Sequence, residues 1–424
     1  MPIIGFAQQY PFQDTTLDIE TRVDDLIGRL TIDEKLSLLE HQNPAITRLG
    51  LKPYSWWNEA LHGIGRNGTA TVWPMPIALA ASFDSKMVEN IFSQVAAEAH
   101  KKYCESQVQG NYGDYTGLTF FTPNINIFRD PRWGRGMETY GEDPYLTAKM
   151  GAACVGGLQH GSNNGSLTAA ACLKHFAVHS GPEGTRHQFD ANISQRDLWT
   201  TYLPAFEYII DHSDVKQVMC GYNRLNGSPC CTNHELLVDI LRNKWKYDGI
   251  VVTDCWALND CWERDTVIPR HKTHATAALA ASDAFGSEVD LECGSGLQAL
   301  KTAVDSGYIH ESKIDEHLRR VLSLRMKITE SHPIFNNLPE ITPHDAATET
   351  FVLLKNDGTL PIDGKRIFIV GPNANDTLMP LGNYNGTPLH TSTILEGLSQ
   401  RFVISKNAND AAIIVYAGGL NPQL

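Results

Sequence analysis

The chain has 424 residues, of which 42% are hydrophobic and 20% are charged, and it carries a formal net charge of −13. This is the composition of a folded globular protein, and the length suffices for a complete α/β barrel and a smaller second domain. The acidic balance disfavours nucleic acid and anionic membrane surfaces as partners, because both attract clustered Lys and Arg. No apolar run in the sequence approaches the roughly 18 residues that a membrane span requires.

The N-terminal region predicts two helices after a signal-like start. Residues 1–9 resemble the end of a secretory signal, with the small Ala7 near a cleavage position, so we expect a periplasmic or secreted protein. Residues 17–30 have the apolar spacing of a helix, and Thr31 with Glu34 forms a capping-box pattern that opens a second helix.

Strand-like and helix-like segments then alternate along the chain. Repeated strand-then-helix units give a parallel sheet with right-handed crossovers. The predicted fold class is therefore α/β, with a (β/α)8 TIM-like barrel over residues 1–328. The predicted strands are 76–83, 118–128, 167–178, 215–222, 249–254 and 289–293, and the predicted helices are 84–104, 144–158, 194–210, 233–246 and those up to about residue 326.

A second domain is predicted at the C-terminal end. Residues 329–350 are predicted to be a linker, because prolines recur there and helical or strand periodicity is weak. Residues 351–356, 366–371 and 411–416 have the pattern of strands. Because so small a sheet is incomplete, residues 351–424 are predicted to be the beginning of a truncated α/β sandwich domain.

Asp254 is the first candidate for a catalytic group. It directly follows an apolar run, Ile250-Val251-Val252-Thr253, which is typical of a buried parallel strand. In a barrel of such strands the C-terminal ends carry the catalytic side chains. The position of this carboxylate therefore indicates chemistry at the mouth of the barrel.

Several other loops that follow strands are rich in side chains able to bind hydroxyl groups. Taken singly, each has a structural interpretation, since an Arg beside an Asp is most often an ion pair and a lone His is more often a packing donor. Their coincidence at the ends of successive strands favours a polar pocket of sugar size, because a barrel gathers those ends around one mouth. The loops are residues 54–63, 129–138, 173–176 and 219–223.

Ordered motifs along nearly the whole chain carry a resemblance to a known family. They are Glu59-Ala60-Leu61-His62-Gly63, Arg129-Asp130-Pro131-Arg132-Trp133-Gly134-Arg135, Lys174-His175-Phe176-Ala177-Val178-His179, Val252-Thr253-Asp254, Val352-Leu353-Leu354-Lys355-Asn356 and Ile369-Val370-Gly371-Pro372-Asn373-Ala374. Together they resemble glycoside hydrolase family 3, in its branch of β-xylosidases and β-glucosidases.

The resemblance implies a retaining exo-acting hydrolase that removes single sugars from the non-reducing ends of β-linked oligosaccharides. Asp254 matches the family's nucleophile, which attacks the anomeric carbon and holds the sugar as a covalent ester until water cleaves it. No cofactor and no metal is implied. The substrate-binding positions are matched by Glu59, Arg135, Lys174, His175, Tyr222 and Trp256.

Glu59 is expected to select the sugar. Glucosidase-like members usually have Asp at the matching place, whereas xylosidase-like members tend to have Glu in a Trp-rich stretch similar to this one. The additional methylene of Glu59 would occupy the space that a hexose hydroxymethyl group needs, which leaves room for a pentose. We therefore expect an enzyme of the xylan 1,4-β-xylosidase type acting on xylo-oligosaccharides. A β-glucosidase and an α-L-arabinofuranosidase of the same family are the alternatives.

The resemblance places the general acid beyond the end of the sequence. In this branch the acid is a Glu of the second domain, and residues 418–424 resemble the approach to it. An inactive or sugar-binding fragment is therefore a further alternative. The branch acting on N-acetylhexosamines is disfavoured, because loop 179–190 lacks its Pro-Gly-His-Gly and Asp-Ser-His motifs. In this loop Glu183 is a weak substitute acid, and His179, His187 and Asp190 are expected to brace the loop.

A metal-dependent barrel hydrolase is the rival from another class. It is disfavoured because the sequence contains neither His-x-His nor His-Glu-x-x-His spacing. The nine cysteines include no Cys-x-x-Cys pair, so most are expected to be buried thiols. The adjacent Cys230 and Cys231, and the pair Cys255 and Cys261, are the candidates for bridges to nearby cysteines in an oxidising compartment.

Overall fold

The protein is described by a computed structural model that covers residues 10–264, 267–364 and 366–419. The signal-like residues 1–9 and the last residues, 420–424, lie outside this range. The α-helices are α1 (Ile19–Arg29), α2 (Ile32–Ser37), α3 (Pro76–Ala81), α4 (Ser85–Gln109), α5 (Pro144–His160), α6 (Gln195–Asp197), α7 (Pro204–His212), α8 (Ala257–Trp262), α9 (Ala277–Gly286), α10 (Leu297–Asp305), α11 (Glu311–Thr329), α12 (Pro343–Glu349) and α13 (Ile394–Ser399). Wider π-helical turns form Leu198–Tyr202 and Glu235–Lys244.

The strands are short, and most of them belong to the N-terminal domain. Those of the barrel and its rim are β1 (Gln42–Asn43), β2 (Tyr54–Ser55), β3 (Thr119–Phe120), β4 (Ala170–Phe176), β5 (Asp190–Ala191), β6 (Gln217–Cys220), β7 (Arg224–Leu225), β8 (Ser228–Pro229) and β9 (Ile250–Thr253). Those of the second domain are β10 (Arg366–Val370), β11 (Val403–Ile404) and β12 (Ile413–Tyr416).

The two predicted N-terminal helices are confirmed. The Asp18 carboxylate accepts the backbone N–H of Thr21 at the start of α1. The capping box of α2 is formed as the sequence indicated, with Thr31 and Glu34 each accepting the other's backbone N–H. The pattern of cap residues therefore fixes where both helices begin.

A TIM-like barrel encloses the core. Strands β3, β4, β6 and β9 form a parallel sheet in that order. The ring continues through a parallel bridge from Val252 to Leu291, which joins the predicted strand at 289–293. From there the Glu292 carbonyl accepts the His41 N–H at 2.9 Å, and a bridge from Asn58 to Phe120 returns the ring to β3.

The first part of this ring departs from the parallel prediction. Strands β1 and β2 pair antiparallel, because only the turn at 47–49 separates them and no crossover helix intervenes. The strands of the parallel sheet, β3, β4, β6 and β9, are buried on both faces, as the uninterrupted apolar runs predict. In β9, for example, every residue is at most 1% exposed.

The predicted strand at 76–83 is wrong, because this segment forms helix α3. Pro76 stands at the first helical position, where its missing N–H costs nothing and its fixed φ suits the helix. Leu79 and Ala80 then face the core on one side. A short apolar run fits a buried helix as well as a strand, and here the proline decides.

The second domain is a small parallel sheet in the order β11-β10-β12. The strands predicted at 366–371 and 411–416 are present, whereas 351–356 is not a strand. Its apolar side chains are exposed, Phe351 by 83% and Leu354 by 92%, and no strand of the described residues pairs with them. A β pattern without a neighbouring ladder leaves the backbone unpaired, so the strand does not form. The predicted linker also contains a helix, α12.

A segment of the second domain, residues 383–387, is docked on the barrel loop 62–70. We name it the bridging segment. The Arg66 N–H donates to the Asn385 carbonyl at 2.9 Å, and the Ala70 N–H donates to the Thr387 carbonyl at 3.1 Å. A Cβ at Gly386 would stand 2.5 Å from the Ala70 Cβ, so the close approach requires glycine there.

Two of the four candidate cysteines for bridges, Cys231 and Cys255, are confirmed and the other two are not, and four of the nine cysteines, rather than most of them, are buried thiols. Cys231 is bonded to Cys220 and Cys255 to Cys293, whereas the thiols of Cys230 and Cys261 are free and buried. Sequence spacing did not reveal these partners, because they come from neighbouring strand ends of the barrel. Among the helices of the described ranges, none is long and apolar enough to cross a membrane.

Candidate active site

Asp254 follows β9 directly and lies at the C-terminal mouth of the barrel. Its Oδ1 accepts the backbone N–H of Cys255 at 2.9 Å, while Oδ2 is buried without a hydrogen-bond partner among the described residues. Burial raises the pKa of Asp254, and the positive charges of Arg135 and Lys174 oppose that shift. One carboxylate oxygen is thus anchored and the other is free to react.

Lys174, near the end of β4, forms a buried ion pair with Glu59. The Lys174 Nζ lies 3.1 Å from Glu59 Oε2, and each side chain is 2% exposed. Burial alone would lower the pKa of Lys174, but the Glu59 charge, together with Tyr384 and Glu138, outweighs burial and raises the pKa. The pair is therefore a charged clamp of the kind that binds sugar hydroxyls.

Arg135 is fixed by Glu138, three residues further along the chain. The guanidinium donates from Nε at 3.0 Å and from a terminal nitrogen at 2.8 Å to the two oxygens of this carboxylate. Although burial favours the protonated acid, the charge and hydrogen bonds of Arg135, together with the Lys174 charge and the Asn124 hydrogen bond, outweigh burial and lower the pKa of Glu138 to about 2. Asn124 and Asn383 also donate to Glu138, so its acceptors are occupied and Arg135 is held in one orientation.

His175 lies beside Asp254 in a defined tautomer. The Asn126 Oδ1 accepts the His175 backbone N–H at 3.0 Å, so this oxygen must also accept the ring Nδ1–H at 2.8 Å. Burial, followed by the Arg135 charge, lowers the pKa of His175 well below its usual value. The ring is therefore neutral, and its unprotonated Nε2 faces Asp254 Oδ2 at 3.5 Å.

Tyr222 is hydrogen-bonded to the loop that follows Asp254, and Trp256 belongs to that loop. The Tyr222 hydroxyl donates to the Cys255 carbonyl at 2.7 Å, which ties this side chain to the loop rather than leaving its hydroxyl free. Trp256 is 43% exposed, and its indole lies edge-on to Trp57 at 5.8 Å. The two Trp rings form an aromatic rim at the outer side of the pocket.

Tyr384 reaches the same pocket from the bridging segment and was missed by the sequence analysis. Its ring lies 4.8 Å from the Lys174 Nζ. Burial, followed by the Glu59 charge, raises the pKa of Tyr384 to about 12. Gly65 admits this approach, because a Cβ there would stand 2.4 Å from the Tyr384 carbonyl oxygen. The pocket is thus completed by the second domain.

Loop 179–190 covers the other side of the mouth. His187 pairs with the buried Asp260 at 3.0 Å, and the Asp190 carboxylate accepts the Gly227 N–H at 2.9 Å, so both brace the loop. Glu183 pairs with Arg186 at 2.9 Å. The Arg186 guanidinium in turn lies 5.2 Å above the Tyr222 ring.

The arrangement combines one half-free carboxylate with a rigid set of charged hydroxyl-binding groups. The neutral His175 Nε2 and the Asp254 Oδ2 are both unsatisfied and buried, which marks the point where a sugar hydroxyl and the reacting carbon would lie. Within residues 10–264, 267–364 and 366–419 no cluster of His, Cys, Asp or Glu has the geometry of a metal site. The geometry suits nucleophilic attack on a sugar.

Comparison with protein families assigns both domains. The profile of the glycosyl hydrolase family 3 N terminal domain matches residues 30–324, and that of the C-terminal domain matches residues 351–422. The chain belongs to glycosyl hydrolase family 3. The resemblance seen in the sequence motifs and the predicted TIM-like barrel fold are thereby confirmed.

Relatives within family 3 include several enzymes named for xylose release. A "xylan 1,4-beta-xylosidase" of Xylanibacter ruminicola is 41% identical over 416 residues, which are 93% of this chain and 48% of the relative. A "beta-xylosidase/alpha-L-arabinofuranosidase 1" of Medicago sativa subsp. varia is 38% identical over 93% of this chain and 53% of the relative. The chain spans about half the length of the curated relatives it matches.

Solved structures of family 3 share the fold. A GH3 exo-β-xylosidase, XlnD, in complex with a xylobiose aziridine activity-based probe is 29% identical, with a TM-score of 0.85 over 98% of this chain and 58% of that chain. A β-glucosidase of Listeria innocua in complex with glucose is 25% identical, with a TM-score of 0.74 over 95% of this chain and 60% of that chain.

Proposed function

We propose that this chain carries the nucleophile and the sugar pocket of a retaining exo-β-xylosidase. The enzyme would release xylose from the non-reducing ends of β-linked xylo-oligosaccharides, and so take part in xylan breakdown. The observation that carries the proposal is the half-free Asp254 carboxylate, buried at the barrel mouth beside the Lys174–Glu59 pair. The relatives' names support the same substrate class.

The first chemical step follows from this geometry. Asp254 Oδ2 attacks the anomeric carbon, the bond from that carbon to the leaving oxygen breaks, and the leaving oxygen takes the electron pair. The sugar is then held as an ester of Asp254 until water hydrolyses it. Lys174, Arg135 and His175 bind the hydroxyls that fix the ring for this attack.

The departing oxygen of a natural xyloside also needs a proton. In retaining glycosidases a second carboxyl supplies it, about 5 to 5.5 Å from the first. We propose that a Glu of the second domain supplies this proton, as the resemblance to the family implies. Glu183 is a poorer source, because its carboxylate is already paired with Arg186 at 2.9 Å.

The pocket favours a pentose for two reasons. Glu59 is long enough to reach Lys174 and fills the space that a shorter Asp would leave open. Tyr384 closes the pocket above the same pair, with its ring 4.8 Å from the Lys174 Nζ. The hydroxymethyl group of a hexose would meet both side chains, whereas a xylose ring lacks that group.

We also propose that the protein works outside the cytoplasm, in the periplasm or as a secreted enzyme. Two disulfides support this proposal, because such bonds persist in oxidising compartments and are rare where thiols are kept reduced. Separation of cell fractions, with the protein detected by antibody, tests it. Recovery of the protein in the cytoplasm alone would contradict it.

The function is tested with activated substrates that need no acid. The chain is incubated with the dinitrophenyl glycosides of β-xylose, β-glucose and α-L-arabinofuranose, and dinitrophenolate release and protein mass are followed. We expect a burst, and a protein heavier by one pentosyl unit attached at Asp254, fastest with the β-xyloside. Asp254→Asn should give no adduct while it still binds xylose. An adduct on Asp254→Asn, or none on the wild type, would refute the assignment.

A further inference from the structure

One disulfide lies directly beside the nucleophile. Cys255 follows Asp254 in the chain, and its sulfur is bonded to that of Cys293. Cys293 ends the neighbouring strand-like segment 289–293 of the barrel ring. The bond therefore ties the loop that begins with the nucleophile to the adjacent strand end.

The peptide of Cys255 is what orients the reacting carboxylate. Its N–H donates to Asp254 Oδ1 at 2.9 Å, and its carbonyl accepts the Tyr222 hydroxyl at 2.7 Å. The next N–H, that of Trp256, donates to the Cys293 carbonyl at 2.6 Å. Movement of Cys255 would thus displace the anchored oxygen of Asp254, and with it the direction of Oδ2.

The backbone conformation of the turn that follows, at Trp256, is not favourable by itself. Trp256 has a φ of +63°, in the left-handed region, which is unfavourable for a bulky side chain. Such a conformation persists only where surrounding bonds enforce it. Around this turn the enforcing bonds are the disulfide and four hydrogen bonds of the Cys255 and Trp256 backbone, the fourth being that from the Asn259 N–H to the Trp256 carbonyl at 3.0 Å.

We propose that Cys255 and Cys293 are positioning residues of the reaction, whose disulfide holds the Cys255 N–H against Asp254 and aims the free oxygen at the anomeric carbon. The proposal rests on the proposed function of Asp254 as nucleophile. The second bond, between Cys220 and Cys231, acts on a different part of Asp254: the Cys220 carbonyl accepts the Asp254 backbone N–H at 3.0 Å, whereas the Cys255 N–H is bonded to the carboxylate itself. Reduction of Cys255–Cys293 should slow attack without emptying the pocket.

The test uses the double variant Cys255→Ser/Cys293→Ser and, as a matched control, Cys104→Ser, which removes an exposed free thiol of α4. The rate of adduct formation with dinitrophenyl β-xyloside and the dissociation constant for xylose are measured for each protein. We expect the double variant to label at least about tenfold more slowly, since small misplacements of a reacting group have such effects. Its affinity for xylose should change by less than about threefold. The control should match the wild type in both.

If circular dichroism shows that the double variant folds poorly, reduction of the disulfide in the wild-type protein gives an independent readout. Dithiothreitol should slow labelling in parallel with alkylation of Cys255 and Cys293, mapped by mass spectrometry, and reoxidation should restore it. An unchanged labelling rate after full reduction of this bond would overturn the proposal, as would equal losses of labelling and xylose affinity. A wild type that never labels would instead refute the function of Asp254.

Discussion

The Lys174 ammonium and the Glu59 carboxylate lie 3.1 Å apart in the barrel mouth, each 2% exposed. Two charges so far from water are stable only as a pair, because the loss of either partner leaves the other buried and uncompensated. The pair therefore sets both the charge and the size of the pocket at this position.

Shortening Glu59 should relax the choice of sugar. In Glu59→Asp the carboxylate withdraws by one methylene, which opens space for a hexose hydroxymethyl group. The ratio of glucoside to xyloside labelling rates should rise about tenfold, in line with the discrimination that one methylene provides. Competing dinitrophenyl glycosides measure the ratio. An unchanged ratio would contradict the size argument. Glu59→Gln keeps the length but removes the charge, and it should weaken binding of both sugars.

Tyr384 should contribute to sugar binding through its ring. Tyr384→Ala removes the aromatic face next to Lys174 and opens the pocket, so the dissociation constant for xylose should rise about tenfold. Tyr384→Phe retains the ring and should stay close to the wild type. Titration calorimetry with xylose distinguishes the two variants. Equal losses in both would assign the effect to the hydroxyl instead.

Loss of the Glu138 charge should affect both fold and site. Glu138→Gln leaves the buried Arg135 without its counter-charge, and breaking such a pair typically costs about 3 to 5 kcal/mol of the free energy of unfolding. Xylose affinity should also fall, because Arg135 is no longer held in one orientation. Urea unfolding and calorimetry measure the two effects. A surface pair offers the control: Asp130→Asn, which frees the exposed Arg132, should alter neither quantity.

Acid should destabilise the protein well above the pH at which carboxylates titrate. Burial, followed by the Arg135 charge, lowers the pKa of His179 to about 3, and that of His175 lies well below its usual value. The unfolded chain takes up these protons near pH 6.5, whereas the folded one does not. The contribution of each of these two groups to stability is therefore complete above about pH 6.5 and declines as the pH falls, by about 1.4 kcal/mol per pH unit.

Urea unfolding at a series of pH values from about 7 down to about 5 measures this slope. His179→Gln should flatten it by the share of one group, because Gln does not titrate. The loss below about pH 4.5 should persist in that variant, because Glu138, with a pKa of about 2, releases its own proton on folding in that range. Glu292, whose pKa burial raises to about 7, acts in the opposite direction in this range, so the comparison with the variant decides: equal slopes in the wild type and in His179→Gln would show that His179 is protonated in the fold.

The sequence was most informative where apolar runs end. The buried strands β4 and β9 locate Lys174, His175 and Asp254 at one edge of the barrel, so their proximity follows from the pattern alone. It failed at 76–83, where an apolar run of strand length is a helix, and at 351–356, where a β pattern has no partner strand. Periodicity describes one segment at a time, whereas the conformation of these two segments depends on the segments that lie next to them in the fold.

The supporting residues of the site could not be predicted for a similar reason. Asn126 defines the tautomer of His175, and Tyr384 closes the pocket from another domain, through contacts between segments distant in the chain. Gly65 and Gly386 offered a signal, since both are glycines that close backbone packing requires. Glycine occurs for many structural reasons, however, and the sequence does not show which segment packs against each of these two glycines.

The bridging segment, residues 383–387, has a consequence for how such enzymes can be recombined. Its backbone is hydrogen-bonded to loop 62–70, and it places Tyr384 beside Lys174 in the pocket and Asn383 against Glu138. In a chimera that joins the barrel of one relative to the second domain of another, the pocket would therefore be formed by residues from two different proteins. Grafting this segment together with its parent barrel should preserve sugar preference, so the natural point of exchange lies within the second domain and not at the linker.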